Sequence, residues 1–476
     1  MGNKEIDDSF LETSKYLFKV ERKEGTVVYH SLFGNISIFN DEALKLLFSF
    51  KNGKKKEEVL KKYDEIKRKK SNEYIHDFLK KGFLIKKGTD EDKEFEDFYE
   101  EHKKIIPTGR ETCIIQLVVS NICNFDCKYC FVEKLYSSKE RISVQNDANN
   151  KIMSKENAKK YIDIMINHIK KNERNNLFIQ FFGGEPLTNW PVVKYVLDEY
   201  KNGENHGINI LYSIITNGSL INEEIAKYFK RFDVNVIISF DSPKGTDRLL
   251  KNGENSGPIV KKNIALLAKY ENRTTFNTAI TSETFGYFGK DLVDFAVKNK
   301  VKEIGILFDL ILDLYKKHSS QEIVDKFWEV YLYAKENDIT VTGYWHHTFQ
   351  LILEDRHFKN GAYKTCPAMG ALFSIEPNGE VFACKTSSAY YGNMNKIDEI
   401  FNSDKYIEYS KFPFKRINFC RNCEIENFCS NICTGVREKN FDSISTMHQP
   451  TCKIKKEIVK RQIIDYDIDK LELFKL

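Results

Sequence analysis

Cys123, Cys127 and Cys130 have three and then two residues between them in the run 121–131, which reads NICNFDCKYCF. Three thiolates on one short loop reach three corners of a cubane iron-sulfur cluster and leave its fourth iron without a protein ligand, open to a substrate or cosubstrate. A structural zinc site closes four ligands around one ion, and no fourth ligand stands near this loop. A second set begins at Cys366 and continues through Cys384, Cys420, Cys423, Cys429, Cys433 and Cys452, with no cysteine between Cys130 and Cys366. Cys420 and Cys423 alone would suit a zinc ribbon, but seven cysteines divide awkwardly among four-ligand zinc sites. Kept reduced in a cytosol, such cysteines favour metal ligation over disulfides. The eleventh, Cys113, is expected inside a strand as a small buried apolar residue.

The remaining chemistry-bearing residues are sparser. Gly183-Gly184-Glu185-Pro186 makes a turn in which glycines let backbone approach a ligand closely, Glu185 anchors the turn and Pro186 fixes its exit. Asn217 and Ser239 are small polar residues that turn geometry alone could also explain. His346 and His347 invite a metal reading, but hydrogen bonding or substrate contact suits a sulfur-rich protein better.

These residues need a frame that brings them together. Strand-like runs at 113–120, 177–182, 208–215, 234–240, 274–280 and 304–308 alternate with helical periods at 154–170, 191–200, 223–229, 258–270, 290–298 and 321–336. Such alternation predicts an α/β fold with a parallel sheet and right-handed crossovers, curved into a (β/α)6 partial barrel. In barrels of this kind the chemistry sits on loops after the strands, where the cysteine loop, the Gly-Gly-Glu-Pro turn, Asn217 and Ser239 all fall. Ahead of the barrel, strands at 16–20, 25–29 and 35–39, helices at 41–50, 54–62 and 71–81, and a strand at 83–85 predict a winged-helix-like unit, with Asn40 as an N-cap. The charged stretch 89–104 reads as a linker or an exposed helix.

At 476 residues the chain is too long for one core. It holds 74 basic and 69 acidic side chains for a net charge of +5, which gives no global field for nucleic acid. No apolar run is long enough to span a membrane, and the first residues lack a signal-peptide core, so a cytoplasmic protein is expected. A winged helix also admits a different class of protein, a non-enzymatic iron-sulfur regulator that binds DNA.

The cysteine loop, with Tyr129 before its last cysteine and Phe131 after it, resembles the signature of the radical S-adenosylmethionine enzymes. The later seven cysteines resemble the SPASM extension of that family. The N-terminal unit resembles the precursor-peptide recognition domain of its peptide-modifying members. The resemblance implies three domains: residues 1–95 for peptide recognition and linker, 96–338 for the barrel and 339–476 for the SPASM extension. It implies three 4Fe-4S clusters and S-adenosylmethionine. The first cluster would sit on Cys123, Cys127 and Cys130, one auxiliary cluster on Cys366, Cys384 and Cys433, and the other on Cys420, Cys423, Cys429 and Cys452. Tyr129, Gly183, Gly184, Glu185, Pro186, Asn217 and Ser239 would contact S-adenosylmethionine. The implied partners are a precursor peptide, whose leader adds a strand beside 35–39 and rests on 71–81, and an external flavodoxin- or ferredoxin-type electron donor. The expected activity is a peptide cross-link, a thioether from a peptide cysteine. A carbon-carbon cross-link and formylglycine formation, as in anaerobic sulfatase activators, are the enzymatic alternatives.

Overall fold

A computed structural model describes residues 9–130, 151–308, 312–353, 366–414, 416–441 and 443–476. The N-terminal unit opens with β1 (Phe10–Thr13), β2 (Leu17–Arg22), β3 (Gly25–His30) and β4 (Ile36–Phe39). β5 (Lys54–Lys55) and β6 (Leu84–Lys86) flank β1 in a small antiparallel sheet. The expected hairpin is β2–β3, and β4 runs antiparallel beside β3. As expected, the Asn40 side chain caps the helix Asp41–Phe48, accepting from the Ala43 amide at 2.9 Å. The helix expected over 71–81 starts earlier, at Glu65, because Asp64 caps it by accepting from the Lys67 amide. Leu46, Leu47, Ile75 and Phe78 from these two helices meet Val28 and Phe39 of the sheet in a buried apolar cluster.

The stretch 89–104 is more than a linker. It forms the helix Glu91–Lys103, and its first residue is buried, with Ser14 donating to the Glu91 carboxylate at 2.7 Å and His30 Nε2 at 3.0 Å from it. Its neighbour Asp92 pairs with Arg416, far along the chain.

The barrel follows as β7 (Ile114–Ser120), β8 (Asn176–Gly183), β9 (Asn209–Thr216), β10 (Asn235–Ser239), β11 (Thr274–Ala279), β12 (Glu303–Leu307) and β13 (Thr340–Thr342). These strands pair in sequence order, all parallel. Beyond β7 the same sheet continues into β14 (Leu372–Ile375), β15 (Glu380–Phe382) and β16 (Tyr390–Asn393), so that ten strands form one surface. Ile115 and Leu117 of β7 accordingly share a core with Phe373 and Ile375 of β14. Cys113 lies just before β7, half-buried against that core. Last comes β17 (Glu472–Phe474), which pairs parallel with β4 across nearly the whole chain. No helix among the described residues is long and apolar enough to cross a membrane.

Candidate active site

The cysteine loop leaves β7 and is clamped from two sides. From the β8 turn, the Gly184 amide donates to the Ser120 carbonyl and the Glu185 amide to the Ile122 carbonyl, each at 2.8 Å. A Cβ on Gly183 would stand 2.0 Å from the Ser120 carbonyl oxygen, and one on Gly184 2.7 Å from that of Ile122. Both glycines are therefore required for close approach to the cysteine loop itself. From the segment after β10, the Leu249 carbonyl receives the Asp126 amide at 2.8 Å and that of Asp247 receives the Lys128 amide at 3.2 Å.

Glu185 anchors its turn as the sequence suggested. Its carboxylate accepts from the Leu187 amide at 3.0 Å, the Thr216 hydroxyl at 2.7 Å and the Asn217 amide at 2.7 Å, which locks the end of β8 to the end of β9. Burial pushes the Glu185 carboxyl up to about 7, against the pull of those donors. Pro186 follows at the start of a short helical turn. Asn217 donates to Asn124 of the cysteine loop and accepts from Ser219. Tyr129 and Ser239 face the central cavity, whereas Asn217 is absent from its lining. Phe131 lies outside the described residues.

Tyr129 is held by two residues whose weight the sequence did not reveal. Its phenol donates to both oxygens of the fully buried Asp241 carboxylate, at 2.6 and 2.5 Å. Thr246 donates to the same carboxylate at 2.9 Å and Arg248 Nε at 3.1 Å. The Arg248 guanidinium also lies over the Tyr129 ring, 5.0 Å from its centroid. Burial pushes the Tyr129 phenol well up, so it stays protonated and donates. Only a carboxylate two residues beyond a strand end pointed to Asp241, and nothing in the local pattern pointed to Arg248.

All eleven cysteines are among the described residues, and no disulfide joins any two of them. Ten fall into the three expected groups. Burial first, then Cys127 and Cys130 among its neighbours, push the Cys123 thiol up to about 12. Burial and then Cys433 and Cys366 likewise raise Cys384. The Thr386 hydroxyl stands 3.0 Å from Cys384 Sγ and 3.9 Å from Cys433 Sγ, and Thr434 donates to Cys366 Sγ at 3.3 Å. Cys420, Cys423, Cys429 and Cys452 line a cavity of about 240 Å³, where burial and the other three thiols push Cys452 up to about 12. Asn431, in left-handed backbone, donates its amides to Cys429 and Cys452 and so ties the loop to the helix Gln449–Asp465.

Buried thiols gathered this way resist ionisation until a cation compensates them, as metal ligands do. Among the described residues no three His, Cys, Asp or Glu side chains converge on a point fit for a single ion. Arg437, fully buried, lies between the two later groups, with Cys366, Cys429, Cys433 and Cys420 acting on its charge. It donates to the backbone carbonyls of Ser430, Ile432 and Ile444.

One cavity of about 200 Å³ joins the barrel to the second cysteine group: Tyr129, Ser239 and Arg248 line it together with Cys366, Cys384 and Cys433. Its wall is pinned by Lys385, which is buried against Glu376 at 3.1 Å and reaches Asn121 of the cysteine loop at 2.6 Å. His346 and His347 sit elsewhere, on the helix Tyr344–Leu353. Burial, then His347, pushes His346 down to about 4.

Comparison with known proteins agrees with this geometry. Residues 117–290 match the radical SAM superfamily, and residues 366–424 match the SPASM iron-sulfur cluster-binding domain. A radical SAM cyclopropyl synthase, TigE, of Paramaledivibacter caminithermalis is 40% identical over 463 residues, covering 96% of this chain and 98% of that protein. Among solved structures, anSMEcpe with bound AdoMet and the Cp18Cys peptide superposes with a TM-score of 0.58 at 22% identity, over 74% of this chain and 96% of that one. Streptococcus suis SuiB bound to its precursor peptide SuiA gives 0.51 at 13% identity, over 93% of this chain and all of that one. A whole-length relative at this identity makes the non-enzymatic regulator untenable. With its cysteine loop, its shared cavity and its cysteine-rich extension accounted for together, this chain belongs to the SPASM-bearing enzymes of the radical SAM superfamily, which work with iron-sulfur clusters and S-adenosylmethionine.

Proposed function

We propose that the enzyme modifies a ribosomally made peptide by closing a carbon-carbon bond within an aliphatic side chain, forming a cyclopropane ring. The observation that carries a peptide reading is the single cavity shared by Tyr129, Ser239 and Arg248 with Cys366, Cys384 and Cys433. The ring as product follows from the relative named as a cyclopropyl synthase, which matches nearly end to end. The three cysteine groups would hold three clusters, as the sequence suggested, and Cys123, Cys127 and Cys130 would leave the open iron. When bound, the clusters and S-adenosylmethionine supply a 5′-deoxyadenosyl radical that removes one hydrogen atom from the peptide and an acceptor for the electron left when a second hydrogen departs as a proton. An external flavodoxin- or ferredoxin-type protein would reduce the first cluster.

The protein's own part is positional. Asp241 and Arg248 hold Tyr129, and with it the cysteine loop, against the cavity. Lys385, Glu376 and Asn121 fix the distance between that loop and the second cysteine group. Residues 1–95 would dock the leader, so that the core segment is threaded into the cavity and its reacting carbons are held in place.

The test is anaerobic turnover with the precursor peptide and S-adenosylmethionine, read by mass spectrometry and thiol alkylation. Ring closure and thioether formation both remove a hydrogen pair. Ring closure leaves every peptide thiol open to alkylation, and the thioether expected from the sequence consumes one. Release of 5′-deoxyadenosine with no mass loss from the peptide would refute the proposal.

A further inference from the structure

The edge of β4, where a leader strand was expected, is already taken. β17 lies on it in parallel, with Glu472 beside Ser37, Leu473 beside Ile38 and Phe474 beside Phe39. Phe474 is buried between β4 and the helix Glu65–Lys80, its ring centroid 5.0 Å from that of Phe39 and 4.9 Å from those of Tyr74 and Phe78. Most of the remaining contacts are with backbone. The Asn40 amide donates to the Phe474 carbonyl at 3.0 Å, and the Asn40 side chain donates to the Leu476 carbonyl at 3.1 Å. Tyr74 donates to the Lys475 carbonyl at 3.1 Å. The Lys475 amide donates back to the Tyr74 hydroxyl at 3.2 Å and the Leu476 amide to Asn40 Oδ1 at 3.3 Å, and Lys81 pairs with Glu472 at 2.7 Å.

From these contacts we infer that β17 is an exchangeable occupant of the leader groove, and that the leader displaces it by pairing with β4 and placing a large apolar side chain where Phe474 sits. The inference rests on the proposed peptide substrate. Edge pairing of this kind draws affinity from main-chain hydrogen bonds and specificity from the pockets for alternate side chains, so any strand with an apolar anchor satisfies the groove. β17 is a minimal occupant: three paired residues, of which Leu473 is half exposed. The groove is also longer than its occupant. Beyond Glu472 it opens into a cavity of about 320 Å³ lined by Asn35, Asp77, Lys80, Lys81 and Lys470. A leader carrying two acidic residues ahead of its apolar anchor would replace Glu472 at Lys81 and reach Lys80 as well, which Glu472 does not pair with.

Tethering matters to the competition. A strand attached to the same chain competes at an effective concentration in the millimolar range. The apparent affinity of any leader is then reduced by the fraction of time the groove is empty. Short or mismatched peptides are rejected, because they gain nothing over the resident strand.

The experiment uses the full chain, reconstituted with iron and sulfide, and a labelled probe, acetyl-LELFKL, which copies residues 471–476. Anisotropy titration should give at least tenfold tighter binding to Phe474→Ala than to the wild type, with amide exchange at residues 36–39 slowed when the probe is bound. A probe with alanine in place of its phenylalanine should not bind. Glu472→Lys, which keeps Phe474 in its pocket and opposes Lys81, should give an intermediate gain and guards against a folding defect in the first variant. Equal affinity for wild type and both variants, or saturable binding to none of them, would overturn the inference. Peptide modification is scored separately: a probe that exchanges as expected while no peptide is modified refutes the proposed function alone.

Discussion

Replacing Asp241 with Asn tests whether the cysteine loop is held through Tyr129. The substitution keeps the side-chain volume but removes the charge that faces Arg248 at 3.1 Å and turns one of the two oxygens that accept from Tyr129 into a donor. Removing one side of a buried ion pair costs about 3–5 kcal/mol. The Arg248 side chain keeps 15% of its surface in solvent, so about 2–3 kcal/mol is the fitting figure here. That is roughly a 30- to 160-fold increase in local opening. Tyr129→Phe loses one charge-assisted hydrogen bond but leaves Arg248 paired, for about 1.5 kcal/mol or roughly tenfold. Amide hydrogen exchange reads local opening directly. Exchange over residues 121–130 should accelerate in that order while β8 and β9 stay protected, and release of 5′-deoxyadenosine should fall in parallel. Wild-type exchange in Asp241→Asn would refute the clamp, whatever happened to activity.

Glu376→Gln should lower stability by about 3–5 kcal/mol, because the buried Lys385 ammonium loses its countercharge; the double variant with Lys385→Met should recover most of the loss in denaturant midpoint. Arg437→Met removes a buried positive charge between the two later cysteine groups and should move both auxiliary midpoint potentials negative in an EPR-monitored titration; unchanged potentials would place Arg437 in a purely structural role. His346 is held neutral in the fold, its pKa lowered from 6.5 to about 4, so stability present above pH 6.5 is lost as pH falls toward 4, by up to about 3 kcal/mol. Denaturation midpoints at pH 7.5 and 5.5 should therefore converge in His346→Gln. Full reconstitution should give about twelve irons per chain from three cubane sites, and Cys384→Ala about eight.

Much of the site was legible because cysteine spacing and strand-to-helix alternation are local patterns. The loop after β7 and the turn after β8 each occupy short, distinctive stretches. What stayed hidden depends on contacts between distant residues. Arg248 is an arginine in a loop until the fold sets it over Tyr129. Asn431 is an unremarkable loop residue until its left-handed backbone aims it at Cys429 and Cys452. The stretch 89–104 reads as solvated because it is charged, and the burial of Glu91 depends on Ser14 and His30, which no helical period encodes. The glycines of the β8 turn were picked out for close approach to a ligand, and their fit against the cysteine loop's own backbone is a contact between distant residues that the sequence did not show. β17 was missed altogether, since three residues carry no periodic signal.

The pairing of β7 with β14, and of β4 with β17, also sets an order of events during synthesis. At about 5–20 residues per second, on the order of ten seconds or more separates the ribosomal exit of β7 from that of its second neighbour, β14. The growing barrel therefore presents an unpaired parallel edge to solvent for that time, the kind of edge that invites misassembly or a chaperone. β4 waits longer still, from Phe39 until Glu472 emerges, for β17. Throughout that interval its edge has no strand beside it, and on the inference drawn above a nascent chain that met a leader then would have no resident strand to expel.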